Sequence, residues 1–111
     1  MPYYKNKNDV KEVYSGNGHG SFPLLSENEG CTNGCATGIS YYSSVEYTPN
    51  AYHDFQEGFM VLSGSGMVIV GDEEFHVDNN YSFIVPANTN HQLRSDKSDV
   101  PLVVFWFHAR A

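Results

Sequence analysis

From Ile39 onward, apolar residues come in short runs rich in Tyr, Val, Ile and Phe, separated by clusters of Gly, Ser, Asn, Asp and Pro. That is the pattern of β-strands punctuated by turns. It predicts strands over 39–47, 57–62, 65–70, 73–77, 81–85, 91–95 and 102–108. Gly71-Asp72, between Met67-Val-Ile-Val70 and Phe75-His-Val77, reads as a tight hairpin, and Ser63-Gly-Ser-Gly66 as the sharp bend before it. Nowhere is a 3.6-residue period sustained. Many short strands without a helical segment predict a closed or nearly closed antiparallel barrel or sandwich. Ahead of it, Met1 to about Lys11 is a polar arm. Tyr14 to Gly38, rich in Gly, Ser, Asn and Glu, reads as loop with short strands at best. The expected organisation is one domain: an arm and loop over 1–38 packed on a barrel over 39–111.

Length and charge narrow the classes. A compact chain of 111 residues buries about two thirds of its unfolded surface and needs no covalent staple. Thirteen acidic residues against six basic ones give a formal charge of −7, which repels phosphate backbones and anionic membrane surfaces. Neither nucleic acid nor a membrane is expected as a partner. No apolar run resembles a signal peptide or approaches the roughly 20 residues that span a bilayer, so a cytoplasmic location is expected. Cys31 and Cys35 flank the turn signal Asn33-Gly34. A disulfide across that loop stays open, but free thiols suit a reducing compartment, and no zinc-type spacing accompanies them.

The candidate chemistry lies in Ala51-Tyr-His53-Asp-Phe-Gln-Glu57 and in Pro86-Ala-Asn-Thr-Asn-His91. On a straight strand His53 and Glu57 stand roughly 13 Å apart, at about 3.3 Å per residue, too far for one ion. The segment Asp54-Phe-Gln56 must therefore bend, so that His53 closes one element and Glu57 opens the next. Glu57, Phe59 and Val61 then share one face of the pleat. His91 follows a turn favoured by Pro86 and Asn88, with Leu93 on its face. Two imidazoles and a carboxylate suit Fe, Mn, Ni or Zn with positions left open for substrate, dioxygen or water.

These residues carry a resemblance to the small single-domain cupins over about Ile39 to His108. His53, three residues, Glu57, six residues and Gly64 reproduce the spacing of the first cupin motif. Pro86 and His91 match the second motif, with Asn88 at its inner glycine and Ser95 at its final asparagine. Asparagine, like glycine, reaches left-handed backbone angles. Ala51 stands where the first motif begins its histidines, and Asn80 where the second begins with glycine. The resemblance implies an all-β, double-stranded β-helix (jelly-roll) barrel holding a divalent metal on His53, Glu57 and His91. It also implies a homodimer and a small polar metabolite as substrate, with isomerase, dioxygenase, decarboxylase or lyase chemistry. The alternative it allows is a non-catalytic small-molecule sensor, similar to the ligand domain of arabinose-type regulators, with the same side chains as a hydrogen-bonded polar patch.

Three more residues are candidates for the pocket. His108 shares a strand face with Val104 and Trp106; pointing inward, it is placed for acid–base catalysis or as a further ligand. Phe59 and Trp106, with Tyr41 or Tyr42, are expected as aromatic walls for the substrate. His76 is expected on an exposed strand, His19 in a glycine-rich loop, and Arg94 outside the barrel.

Overall fold

The computed structural model describes residues 2–110; Met1 and Ala111, the outer ends of the expected arm and barrel, lie outside the described residues. Among the described residues nine strands form: β1 (Val13–Gly16), β2 (His19–Pro23), β3 (Ala36–Tyr42), β4 (Gln56–Ser63), β5 (Gly66–Val70), β6 (Glu73–Val77), β7 (Ser82–Val85), β8 (His91–Ser95) and β9 (Leu102–Ala109). They make a six-stranded sheet in the order β1-β2-β3-β9-β4-β7 and a three-stranded sheet in the order β6-β5-β8. Every ladder is antiparallel. The chain crosses between sheets after β4, β6, β7 and β8, which is the winding of a jelly roll.

The core fills the space between the sheets. Val61, Val68, Val77, Leu102 and Val104 are fully buried there, with Phe59, Val85 and Leu93 scarcely less so. They are the inward members of alternating strands; burying each Val, Leu or Phe side chain is worth about 1.5–3 kcal/mol. At the β4–β5 bend Gly64 has φ +79, and a Cβ there would meet the Pro101 carbonyl oxygen at 2.2 Å. Only glycine allows both the angle and the approach.

Six of the expected strands fall within one or two residues of the observed ones. The first does not: β3 spans Ala36–Tyr42 rather than 39–47. Its ladder with β2 ends at the pair His19–Tyr42, and the chain then turns to run beside β8. Thr48 N donates to the Leu93 carbonyl at 3.0 Å, and Ala51 and His91 exchange backbone hydrogen bonds at 3.1 and 3.0 Å.

The segment before β3 supplies β1 and β2, which extend the large sheet through a hairpin whose turn, Gly16-Asn17-Gly18, has φ of +88, +55 and +71. β1 is largely exposed, so no apolar alternation announces it. Lys5 reaches back to Glu29 at 2.9 Å, tying the polar arm to the turn Glu27–Glu29. Cys31 and Cys35 are both free thiols.

Candidate metal centre

Three loops and strands deliver the cluster. The chain bends at Asp54-Phe55, as the spacing of His53 and Glu57 requires, although His53 lies in an extended loop rather than at a strand end. That loop is clamped by Asn88, whose backbone N–H donates to the His53 carbonyl at 2.6 Å. Asn88 has φ +61, the left-handed angle that asparagine tolerates better than most residues. Glu57 enters on β4 and His91 on β8, both pointing between the sheets and both buried, at 7% and 5% exposure.

The side chains converge on one carboxylate oxygen. Glu57 Oε1 lies 3.7 Å from His53 Nε2 and 3.5 Å from His91 Nε2, and all three candidate donor atoms fall within 4.8 Å of one another. Donors that each sit about 2.1 Å from one ion stand about 3.0–3.4 Å apart, so small rotations would close this set on a metal. The donor chemistry fits as well. Burial lowers the pKa of His91 most, and His53 acts in the same sense, while Glu57 opposes it and the Thr89 backbone beside the ring adds to that opposition. The resulting neutral imidazole is the form that binds metal. Its Nδ1 is buried without a well-formed hydrogen bond among the described residues, while its Nε2 is the nitrogen that faces Glu57.

Of the two orientations open to His108, it takes the inward one and addresses the opposite oxygen: its Nε2 is 2.9 Å from Glu57 Oε2. Cross-strand pairing sets this contact, since Glu57 faces His108 and Phe59 faces Trp106 across the β4–β9 ladder. Trp106 stacks on His108 with centroids 4.7 Å apart and donates its Nε1–H to Ser40 Oγ at 2.9 Å. The indole lies over Gly38, where any Cβ would meet it at 2.2 Å. Phe55 packs on His53 and His108 at 4.8 and 4.4 Å.

The cluster opens into a cavity of about 250 Å³ whose walls include Phe59, Trp106, Tyr42 and His19. Phe59 stacks on Phe83 at 4.7 Å. Of the two candidate tyrosines, Tyr42 lines the cavity, while Tyr41 turns outward and donates to Glu12 Oε2 at 2.7 Å. His76 is exposed and pairs with Asp96 at 2.7 Å. Arg94 lies outside, against Asp96 and the Tyr47 ring.

His19 is the residue that the sequence concealed. Expected in a loop, it opens β2 and stacks on Tyr42 at 4.4 Å, nearly parallel. Its surrounding glycines form a hairpin turn, and only the sheet order β1-β2-β3 brings it to the cavity.

Residues 43–108 match the family model of the cupin domain, and the chain belongs to the cupin family. Among solved structures it is similar to an RmlC-like cupin from Shewanella frigidimarina, with a TM-score of 0.81 at 12% identity, over 100% of this chain and 93% of that one. It is also similar to the cupin domain of Cnp3 from Schizosaccharomyces pombe, with a TM-score of 0.78 at 16% identity, over 96% and 68% of the two chains. The polyketide cyclase RemF from Streptomyces resistomycificus has a TM-score of 0.77 at 16% identity, over 94% and 76%. At these identities the likeness is one of fold. No curated protein matches the sequence. Among the described residues, no helix is long and apolar enough to cross a membrane.

Proposed function

We propose that this cupin is a small metal-dependent enzyme acting on a low-molecular-weight polar metabolite, with His53, Glu57 and His91 holding one divalent ion. The observation that carries the proposal is the convergence of two imidazole Nε2 atoms on Glu57 Oε1 beside a cavity of substrate size. A bound Fe, Mn, Ni or Zn ion would supply a Lewis acid with open positions for an oxygen-bearing substrate.

The chain's own residues set the conditions around it. With Glu57 ionised, His108 donates from Nε2 to Oε2 and turns Oε1 toward the two histidines, the role of an outer-shell partner. His108 is also the group beside the centre that can hold a proton or release it toward the cavity. Phe59 and Trp106 form apolar walls that exclude water and can face a sugar ring or an unsaturated carbon skeleton. A fold shared with a polyketide cyclase is compatible with catalysis in such a pocket. A homodimer in the cytoplasm is part of the proposal. The outer face of the large sheet exposes Met60, Leu62, Ile84 and Phe107, an apolar patch that a second copy would cover.

Elemental analysis by plasma mass spectrometry tests the reading, on untagged protein purified without added metal. About one transition ion per chain is expected, lost in His53→Ala and in Glu57→Gln. A wild-type protein that is empty and also refuses added Fe, Mn, Ni and Zn would overturn it. The pocket would then be that of a non-catalytic ligand-binding barrel.

A further inference from the structure

Among the polar side chains around the cavity, most are already committed. Glu57, His53 and His91 face one another, and His108 is bonded to Glu57. Trp106 Nε1 donates to Ser40 Oγ, Ser40 donates to Ser21 Oγ at 3.1 Å, and Ser21 donates to the Ile39 carbonyl at 3.5 Å. Two groups remain. Neither ring nitrogen of His19 makes a hydrogen bond among the described residues, and neither does the Tyr42 hydroxyl. Their stacking at 4.4 Å fixes both rings without using a polar atom of either.

The same two residues mark a junction. A second cavity of about 220 Å³ reaches toward the β1–β2 turn and shares His19, Tyr42, Ala51 and His91 with the cavity over the metal centre. Ala51 contributes only a methyl group to this shared wall, so little side-chain volume divides the two spaces.

Building on the metal-site reading, we propose that His19 and Tyr42 are substrate-positioning residues. They would bind the hydroxyl groups of a ligand whose head chelates the ion and whose neutral, hydroxylated tail passes Ala51 into the second cavity. The chemistry of the pair selects that class. Burial lowers the pKa of His19 first and foremost, with Glu57 opposing and His91 assisting, so the ring is neutral near pH 7. It then offers one N–H donor and one acceptor nitrogen. The tyrosine hydroxyl, its pKa pushed up by burial and by Glu57, stays protonated and offers the same combination. Sugar-type hydroxyls both donate and accept and match such a pair. An anionic tail does not, because no lysine or arginine lines either cavity and Glu57 is close by.

The test uses Co(II)-loaded protein, whose visible spectrum reports both the metal and its ligands. It is titrated with glycolate, a chelating head alone, and with gluconate, the same head carrying a tetrahydroxylated tail. Gluconate is expected to bind at least tenfold more tightly than glycolate. That advantage should shrink several-fold in Tyr42→Phe and in His19→Phe, each of which keeps a stacked ring. Cobalt stoichiometry and glycolate affinity should remain at wild-type values in both variants. Equal binding of the two acids, or an advantage that survives both substitutions, overturns the positioning role while leaving the metal site standing. Failure of wild-type protein to take up cobalt overturns the metal reading, and this inference with it.

Discussion

The two ends of the barrel interior are made from the same strands and differ completely in chemistry. On β4 the inward residues run from Glu57 through Phe59 to Val61; on β9 they run from His108 through Trp106 and Val104 to Leu102. Antiparallel pairing matches these series member by member, Glu57 to His108, Phe59 to Trp106 and Val61 to Val104. On β8, His91 and Leu93 are separated by a single outward residue. One step of the pleat, about 7 Å for two residues, therefore separates a polar pole from an apolar one. Burying carboxylate and imidazole costs free energy unless they are paired or coordinated. The apolar pole is what leaves the fold able to carry that cost.

If stability and chemistry are divided in this way, substitutions at the two poles should have separable effects. The largest is expected at the apolar pole. Leu93→Ala leaves a void between the sheets and should cost about 2–5 kcal/mol, lowering Tm by roughly 10 °C or more, while the variant still takes up metal in the cold. Loss of metal binding with Tm unchanged would erase the distinction between the poles.

At the polar pole the order reverses. His108→Phe retains the stack with Trp106 and Phe55 but frees Glu57 Oε2. Metal affinity should weaken about 10–100-fold while chemical denaturation shifts by no more than about 1 kcal/mol. Competition with a chromogenic chelator measures the first quantity, and unchanged affinity would remove His108 from the site.

A smaller effect concerns pH. Burial holds both His19 and His91 below their ordinary value, so below about pH 6.5 the unfolded chain binds protons that the folded chain refuses. The contribution of these neutral rings is present above that pH. It is lost as pH falls from about 6.5 through their lowered folded values. Metal-free protein should thus melt at lower temperature at pH 5 than at pH 7.5, and His19→Phe should reduce the difference. An identical pH slope in that variant would mean that His19 does not contribute.

The smallest effect belongs to neither pole. His76→Ala removes only an exposed pair with Asp96 and should change stability by less than about 1 kcal/mol. A larger loss would show that the outer surface of the small sheet supports the fold in a way that its exposure does not suggest.

How legible these features are in the sequence depends on whether a signal is local. The strands from Glu57 to His108 are short apolar and aromatic runs bounded by Gly, Asn, Asp and Pro, so their positions follow from pattern alone. The bend between His53 and Glu57 follows from distance arithmetic, and Asn88 and Asn80, where glycines are expected, do take left-handed angles, at φ +61 and +75. By contrast, the end of β3 at Tyr42 is set by where β2 stops, and the path of residues 43–51 by hydrogen bonds to β8. Neither partner is adjacent in the chain. His19 was hidden for the same reason: its place in the cavity depends on the order of strands in the sheet, and nothing in Gly16-Asn-Gly-His-Gly20 encodes that order locally.

The position of β9 bears on how the molecule is made. This strand lies between β3 and β4 and zips both together along nearly their whole length, yet among the described strands it comes last in chain order. Until residues 102–109 dock, β3 and β4 have no common neighbour, and each presents a bare backbone edge to whatever is nearby. Closure of the barrel is therefore expected to be a late step of folding, dominated by contacts distant in sequence, and a chain on which β9 has not yet docked is the form most prone to mispairing.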